Sequence, residues 1–249
     1  MPSVKEIYEF IDSFAPYSTA CDWDNTGISV GDAEKQVSKI VFALDITSEV
    51  VEFSKHEKAD LIITHHPLIF KPIKNVLSDS ITYTLVNSGI AHISAHTNFD
   101  MAKEGVNTVL CKKLSLNIKK SITDDDICLY ICNTEKTISL DDFVSSVKEK
   151  LGGTVRFNSV KKPVNTVAVC SGAGAEYLAE AKENCADVFL TGDGSHHDFL
   201  DADEMGIALV CAGHFETENP AVDLLIKKIS EKFNVACVKC PQTTPIKTI

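Results

Sequence analysis

Histidine placement is the first sign of chemistry in this chain. Five of its eight histidines fall in three polar clusters, each directly after an expected strand. The clusters are Thr64-His65-His66-Pro67, His96 with Asp100 in Ala95-His96-Thr97-Asn98-Phe99-Asp100, and His196-His197 in Gly192-Asp193-Gly194-Ser195-His196-His197-Asp198. His214 follows a fourth strand, in Gly213-His214-Phe215-Glu216-Thr217-Glu218. Open α/β sheets place their ligand crevice beyond the carboxyl ends of the strands. Imidazoles gathered there are not wanted by the core, so a site explains them better than packing does.

Each cluster carries its own geometry. Pro67 holds His66 extended, and successive extended residues point to opposite sides, so His65 and His66 suit two metal ions better than chelation of one. Asp100 is either a ligand or the cap of a following helix. His214 and Glu218 lie four apart: on one face if the helix starts early, or on a loop if it opens at Asn219-Pro220. Either way an imidazole and a carboxylate come within a metal's reach, with Glu216 less well placed. His65, His66, Asp100, His214 and Glu218 are thus three imidazoles and two carboxylates with no thiolate. That mix favours zinc, iron, manganese or cobalt over calcium or magnesium. Five ligands exceed one closed tetrahedral site and fit two divalent ions bridged by a carboxylate, about 3.5–4 Å apart, which is hydrolase chemistry. His96 and His197 are the candidates for moving protons, and Asp193 for orienting a neighbour. His92, inside a strand, reads as a core or interface histidine, and His56 as solvated.

The elements that must position these residues are short β-branched runs alternating with amphipathic segments. Strands are expected over residues 40–45, 60–64, 90–95, 127–131, 166–170, 187–190 and 206–211. Helices are expected over 3–14, 48–58, 80–88, 105–114, 140–151, 175–184, 195–204 and 220–233. The alternation predicts an α/β fold with mixed, mostly parallel sheets buried on both faces. Residues 119–126, polar and without apolar period, are the expected boundary between an N-terminal and a middle unit. Asp60-Leu61-Ile62-Ile63-Thr64 is loosely echoed by Asp187-Val188-Phe189-Leu190-Thr191. Two related α/β halves would account for the echo, and so would chance.

Composition narrows the remaining options. The chain has 249 residues, 44% hydrophobic and 24% charged, with a formal net charge of −11. An acidic surface disfavours nucleic acid and anionic membrane, which need clustered cations. No run reaches the roughly 18 apolar residues of a membrane span, and the N-terminus lacks a signal-peptide pattern, so a cytoplasmic protein is expected. Nine cysteines scattered through apolar runs read as reduced core residues, not a disulfide framework. Cys237-x-x-Cys240 is a lone pair of this type. Ser171-Gly172-Ala173-Gly174 is either a phosphate cradle or a tight turn. Trp23, the one tryptophan, sits in a rigid turn and reads as packing.

Taken in order, Trp23-Asp24-Asn25-Thr26-Gly27, the His65-His66-Pro67 segment, the His96-to-Asp100 segment, the Asp193-to-Asp198 segment and Gly213-to-Glu218 resemble the motifs of one family. It is the family named for the NGG-one-interacting factor, whose members are labelled GTP cyclohydrolase 1 type 2 homologues. The resemblance spans roughly residues 7–242. It implies two α/β domains of related topology, 1–122 plus 212–249 and 123–211, with a dinuclear metal site between them. It also implies a toroidal homohexamer of cytoplasmic subunits, without the domain that some members insert in the middle. Matched residue by residue, the family's metal ligands fall on His65, His66, Asp100, His214 and Glu218, with Glu218 as the bridge. Phe99 stands where the family more often has Leu.

Two functions of different class follow. One is metal-dependent hydrolysis, in which activated water attacks a nucleotide or similar ring such as the guanine of GTP, with His96 or His197 shuttling protons. The alternative is a non-enzymatic protein that binds or delivers metal, or that serves as a scaffold for partner proteins. A basic phosphate cluster would favour the first, and only Lys71, Lys74 and Lys103 are near the motifs.

Overall fold

The apolar runs become the interior strands of two separate sheets. The structure, a computed structural model, describes residues 1–124 and 127–248. The chain divides into two units, Met1–Lys103 with Ala221–Thr243, and Glu104–Pro220 with Thr244 onward.

In the first unit, α1 (Val4–Asp12) opens with a capping box, in which Ser3 accepts from the Glu6 amide and Glu6 from the Ser3 amide. Its Val4, Ile7 and Ile11 form one buried face. There follow β1 (Gly27–Val30), β2 (Lys39–Ala43), α2 (Ser48–His56), β3 (Leu61–Thr64), α3 (Ile81–Ser88), β4 (Ala91–Ser94) and the short α4 (Thr97–Met101). The second unit holds α5 (Val106–Lys113), β5 (Asn117–Asp124), β6 (Ile127–Ile138), α6 (Leu140–Leu151), β7 (Arg156–Phe157), β8 (Val164–Val169), α7 (Leu178–Glu183), β9 (Val188–Thr191), α8 (His196–Met205) and β10 (Ala208–Cys211). Helix α9 (His214–Lys232) begins in the second unit and continues in the first, and β11 (Ala236–Lys239) returns to the first sheet.

The first sheet has the order β1-β4-β3-β2-β11, parallel except for β1. The second has the order β5-β6-β8-β9-β10-β7, with β8, β9 and β10 parallel and the other pairs antiparallel. Both are mixed sheets carrying helices, as expected. In the first unit, register aligns Ala43 with Thr64 and Thr64 with Ser94, so the chain leaves β2, β3 and β4 at one level. Val41, Ile62, Val50, Val51 and Leu85 fill the core on one side of that sheet. In the second unit Leu129, Ala168, Phe189, Leu209 and Ala202 do the same.

The echo between the two aspartate-led strands is structural. Asp60 accepts from Ser38 N at 2.8 Å and Lys39 N at 3.2 Å, while its own N–H bonds Lys39 O at 2.9 Å. Asp187 accepts from Asn165 N at 3.0 Å and Thr166 N at 2.9 Å, and its N–H bonds Thr166 O at 2.9 Å. Beyond the strands, Ala95 N bonds Thr64 O and Ala212 N bonds Thr191 O, each at 2.9 Å. The triplets β2-β3-β4 and β8-β9-β10 are therefore one arrangement used twice, in agreement with two halves of related topology. Burial pushes the Asp60 carboxyl up, yet the Ser38 and Lys39 donors and the Lys35 ammonium bring it below the ordinary carboxylate range.

Two expectations change and a third is narrowed. Residues 119–124, expected to be irregular, are most of β5, an exposed edge strand paired with β6; Asp125 and Asp126, which end that stretch, lie outside the described residues. The helix expected from Pro220 starts at His214, with Pro220 inside it. Lacking an N–H, Pro220 gives the Glu216 carbonyl no helical partner, a cost that the following turns of α9 outweigh. His92, read as a core or interface histidine, is a core one, because β1 pairs outside β4 and leaves it 0% exposed. All nine cysteines are free thiols, and most are buried. Among the described residues no helix is long and apolar enough to cross a membrane.

Candidate metal centre

Thr64 ends β3 and turns the chain. Its hydroxyl donates to His66 O at 2.6 Å, and His66 N bonds Leu44 O at 3.0 Å. The two rings therefore do not point to opposite sides as an extended pair would. Their centroids lie 5.1 Å apart and both rings approach His96, at 5.1 and 5.4 Å. His65, His66 and His96 each offer a ligand atom within 4.8 Å of the other two.

Behind each ring stands an acceptor. His65 Nδ1 lies 2.7 Å from Ala95 O, His66 Nδ1 2.7 Å from Asp45 Oδ1, and His96 Nδ1 2.9 Å from Asp24 Oδ1. A carbonyl oxygen and an ionised carboxylate only accept, so Nδ1 carries the proton in all three. In that tautomer Nε2 is the nitrogen that bears the lone pair, the form in which imidazole binds a metal. Burial pushes the Asp24 carboxyl up, but hydrogen bonds from His96 and Thr97 outweigh it and hold the group below the usual carboxylate range. Asp24 is thus a fixed anion behind His96, its side chain wholly shielded.

Asp100 caps nothing. It lies within α4, its N–H bonded to His96 O, with Oδ2 at 3.7 Å from His65 Nε2. That places a carboxylate beside His65 in the first unit.

The second unit repeats the device. Because α9 begins at His214, His214 and Glu218 share a face, with Nε2 at 3.1 Å from Glu218 Oε2. His214 Nδ1 lies 2.7 Å from Asp193 Oδ2, the residue that follows β9 by two. Gly172 fits tightly against this pair: with φ at +62°, it leaves no room for a Cβ, which would collide with Glu218 Oε1. The Ser171–Gly174 loop is the tight turn rather than a phosphate cradle. Its Ser171, Gly172 and Gly174 amides are taken by Asn107, Thr217 and Thr191 side chains.

His92 is a core histidine. The single Thr64 hydroxyl proton goes to His66 O, so Thr64 accepts from His92 Nε2 at 2.8 Å, and Nδ1 accepts from Ser29 Oγ at 2.6 Å. Burial pushes its pKa down to about 3. His56 is solvated, with 86% of its side chain exposed. His197 is exposed in the first turn of α8, its ring against His196, and belongs to none of the metal-capable groups among the described residues. Lys71 and Lys74 are exposed. Sequence reasoning missed Asp24 and Asp45 as acceptors behind the imidazoles. The signal for Asp45 was a charge closing an apolar strand run, as at the other site positions.

The donor set fits a transition metal: imidazole nitrogens held in the ligating tautomer, with carboxylates beside them. Comparison with known proteins agrees with the fold. A Clostridium acetobutylicum protein called GTP cyclohydrolase 1 type 2 homolog is 31% identical over 250 residues, covering 96% of this chain and 93% of its own. The structure of reduced HcgD from Methanocaldococcus jannaschii superposes with a TM-score of 0.84 at 31% identity, over 96% of this chain and 97% of the other. A Bacillus cereus protein related to NIF3, at 23% identity, shares the fold with a TM-score of 0.92 over 100% of this chain and 99% of its own. Residues 2–245 match the family Duf34/NIF3 (NGG1p interacting factor 3), and the chain belongs to that family.

Proposed function

We propose that the chain is a metal-dependent hydrolase that opens or cleaves a nucleotide or similar ring compound. In this reading His65, His66, Asp100, His214 and Glu218 are the residues that would hold two divalent transition-metal ions, zinc, iron, manganese or cobalt. The observation that carries it is a shared arrangement: His65, His66, His96 and His214 each place Nδ1 against an acceptor, and carboxylates stand beside Nε2, Asp100 at 3.7 Å from His65 and Glu218 at 3.1 Å from His214. The name GTP cyclohydrolase 1 type 2 homolog, carried by the relative above, supports the substrate class.

The ions supply Lewis acidity, lowering the pKa of water towards 7 and offsetting charge on a developing oxyanion. The chain supplies the rest. His96 Nε2 receives the proton of the attacking water, and Asp24 steadies the imidazolium that results. Asp45 and Asp193 keep His66 and His214 in the tautomer that leaves Nε2 basic. His197, exposed on α8, serves at most as a surface proton carrier.

We further propose a cytoplasmic homohexamer with no nucleic-acid or membrane partner. Exposed Ile73, Val76, Leu77 and Val86 in the first unit supply apolar surface for contacts between copies. Light scattering reads the assembly, and a stable monomer at micromolar concentration overturns it.

The test of function is metal analysis of protein purified without chelator, followed by a nucleotide panel. About two ions per chain and release of a hydrolysed ring product support the reading. Bound metal with no turnover on any nucleotide moves the assignment to metal delivery, and absence of metal removes both.

A further inference from the structure

Beside the three imidazoles of the first unit stand two half-exposed aromatic rings. Trp23 is 54% exposed and Phe70 48%. Their centroids lie 5.6 Å apart with the planes tilted by 56°, and each meets His96, at 6.1 and 6.3 Å. Exposed aromatics on a loose loop would mean little, but these are on anchored backbone. Cys21 N bonds Thr97 Oγ1 at 3.0 Å, and Asp24 N closes a turn onto Cys21 O at 2.9 Å. The Asp24 carboxylate is bound to His96 and Thr97. Asn25 Nδ2 ties the neighbouring loop by bonding Ile69 O at 2.6 Å. The backbone on both sides of Trp23 is thus tied to the links that orient His96, and Asn25 fastens the residue before Phe70 to the same turn.

We propose that Trp23 and Phe70 form a stacking platform for a planar heteroaromatic ring, which they deliver edge-on to the His65–His66–His96 group. The proposal rests on the hydrolase reading above and names how its substrate is selected. Two tilted π-systems beside imidazole nitrogens match a flat ring carrying polar edge atoms: one ring stacks on its face, the other, tilted by 56°, meets it edge to face, and the polar edge reaches the site. A bare phosphate, with neither an apolar face nor a π-face, would gain nothing from the rings.

Trp23 is the only tryptophan in the chain, so it reports its own occupancy. Metal-loaded full-length protein is titrated with guanosine, GTP and inorganic triphosphate while its fluorescence is followed. Saturable quenching by guanosine and GTP, and none by triphosphate, is the expected result. Phe70→Leu keeps apolar bulk but removes the π-face, and should weaken the quenching midpoint by about tenfold, within the range for one lost base stack. Trp23→Ala, read by equilibrium dialysis of guanosine, should weaken binding by a similar factor while metal content stays at the wild-type level.

Equal quenching by triphosphate, no quenching at all, or an unchanged midpoint in Phe70→Leu overturns the platform. Its failure is separable from that of the hydrolase reading. Quenching by guanosine in a chain that holds no metal leaves the platform standing and removes the hydrolase. A metal-loaded, hydrolytically active chain without quenching does the reverse.

Discussion

Asp24 and His96 form a dyad: a shielded carboxylate accepts the imidazole Nδ1 proton at 2.9 Å, while the ring turns Nε2 towards His65 and His66. The same carboxylate accepts from Thr97 N at 3.2 Å and Thr97 Oγ1 at 2.6 Å, so it shapes the start of α4 as well as the ring. Asp24→Asn keeps the size but weakens the grip on the Nδ1 proton. Turnover or metal affinity should fall by roughly 10–100-fold, the usual cost of losing a carboxylate behind a ligating histidine. Kinetics and metal titration check this, and a variant equal to wild type in both would remove the dyad's role.

The adjacent pair His65 and His66 should control occupancy. His66→Ala should lose about one ion, and the double variant His65→Ala with His66→Ala should lose most bound metal, because a metal site missing its imidazoles has too few donors. Far-UV circular dichroism should stay close to wild type, since Val41, Ile62 and Leu85 build the core without them. Undiminished metal in the double variant, read by elemental analysis, sinks the ligand assignment.

Gly172 tests the second unit. Alanine there meets two obstacles, a left-handed φ of +62° and the Glu218 carboxylate in the space of its Cβ. Gly172→Ala should displace Glu218 and cost roughly 1–3 kcal/mol of stability from backbone strain. Metal content should drop with it. Glu218→Gln, which keeps the shape and removes the charge, should lower metal affinity by about tenfold or more without the strain. Thermal melts separate the two, and loss of stability in both variants alike would contradict this account.

His92 should make stability pH-dependent. In the folded chain burial pushes its pKa down from 6.5 to about 3. Below pH 6.5 the unfolded chain takes up a proton that the folded chain refuses, so stability falls as pH drops from about 6.5 towards 3. The loss between pH 7 and pH 5 should be about 2 kcal/mol. His92→Gln should show a flatter profile over that interval in urea melts at the two pH values. Equal slopes in variant and wild type would show that His92 does not titrate on unfolding.

What the sequence revealed and what it hid divide along the sheets. The runs at 40–45, 60–64 and 90–95 became β2, β3 and β4, and those at 127–131, 166–170, 187–190 and 206–211 became β6, β8, β9 and β10. All are interior strands, buried on both faces and so continuously apolar. The strands that went unread, β1, β5, β7 and β11, are the four edges. Edges are half-solvated and carry polar residues: β5 includes Lys119 and Lys120, and all of β7 is exposed. The histidine clusters were legible because polar residues at the ends of apolar runs stand out. The acceptors were not, because Asp24 and Asp45 lie 72 and 21 residues from the rings they hold. The meaning of Trp23 was hidden too, since a lone indole in a turn gives no hint of Phe70.

The twice-used arrangement of Asp60 and Asp187 also bears on how such a chain can change over time. Strand alignment is governed at the amino ends of β3 and β9, where each aspartate ties down the neighbouring strand. The reactive side chains stand at the opposite ends, after Thr64 in one copy and after Thr191 in the other. One copy places two histidines there and the other a glycine and an aspartate, over the same hydrogen-bonded frame. Foldability and reactivity are thereby lodged in different stretches of the same strands. Substitutions in the carboxyl-end loops can explore new ligand sets while the frame goes on folding, and the chemistry of one copy need not constrain that of the other.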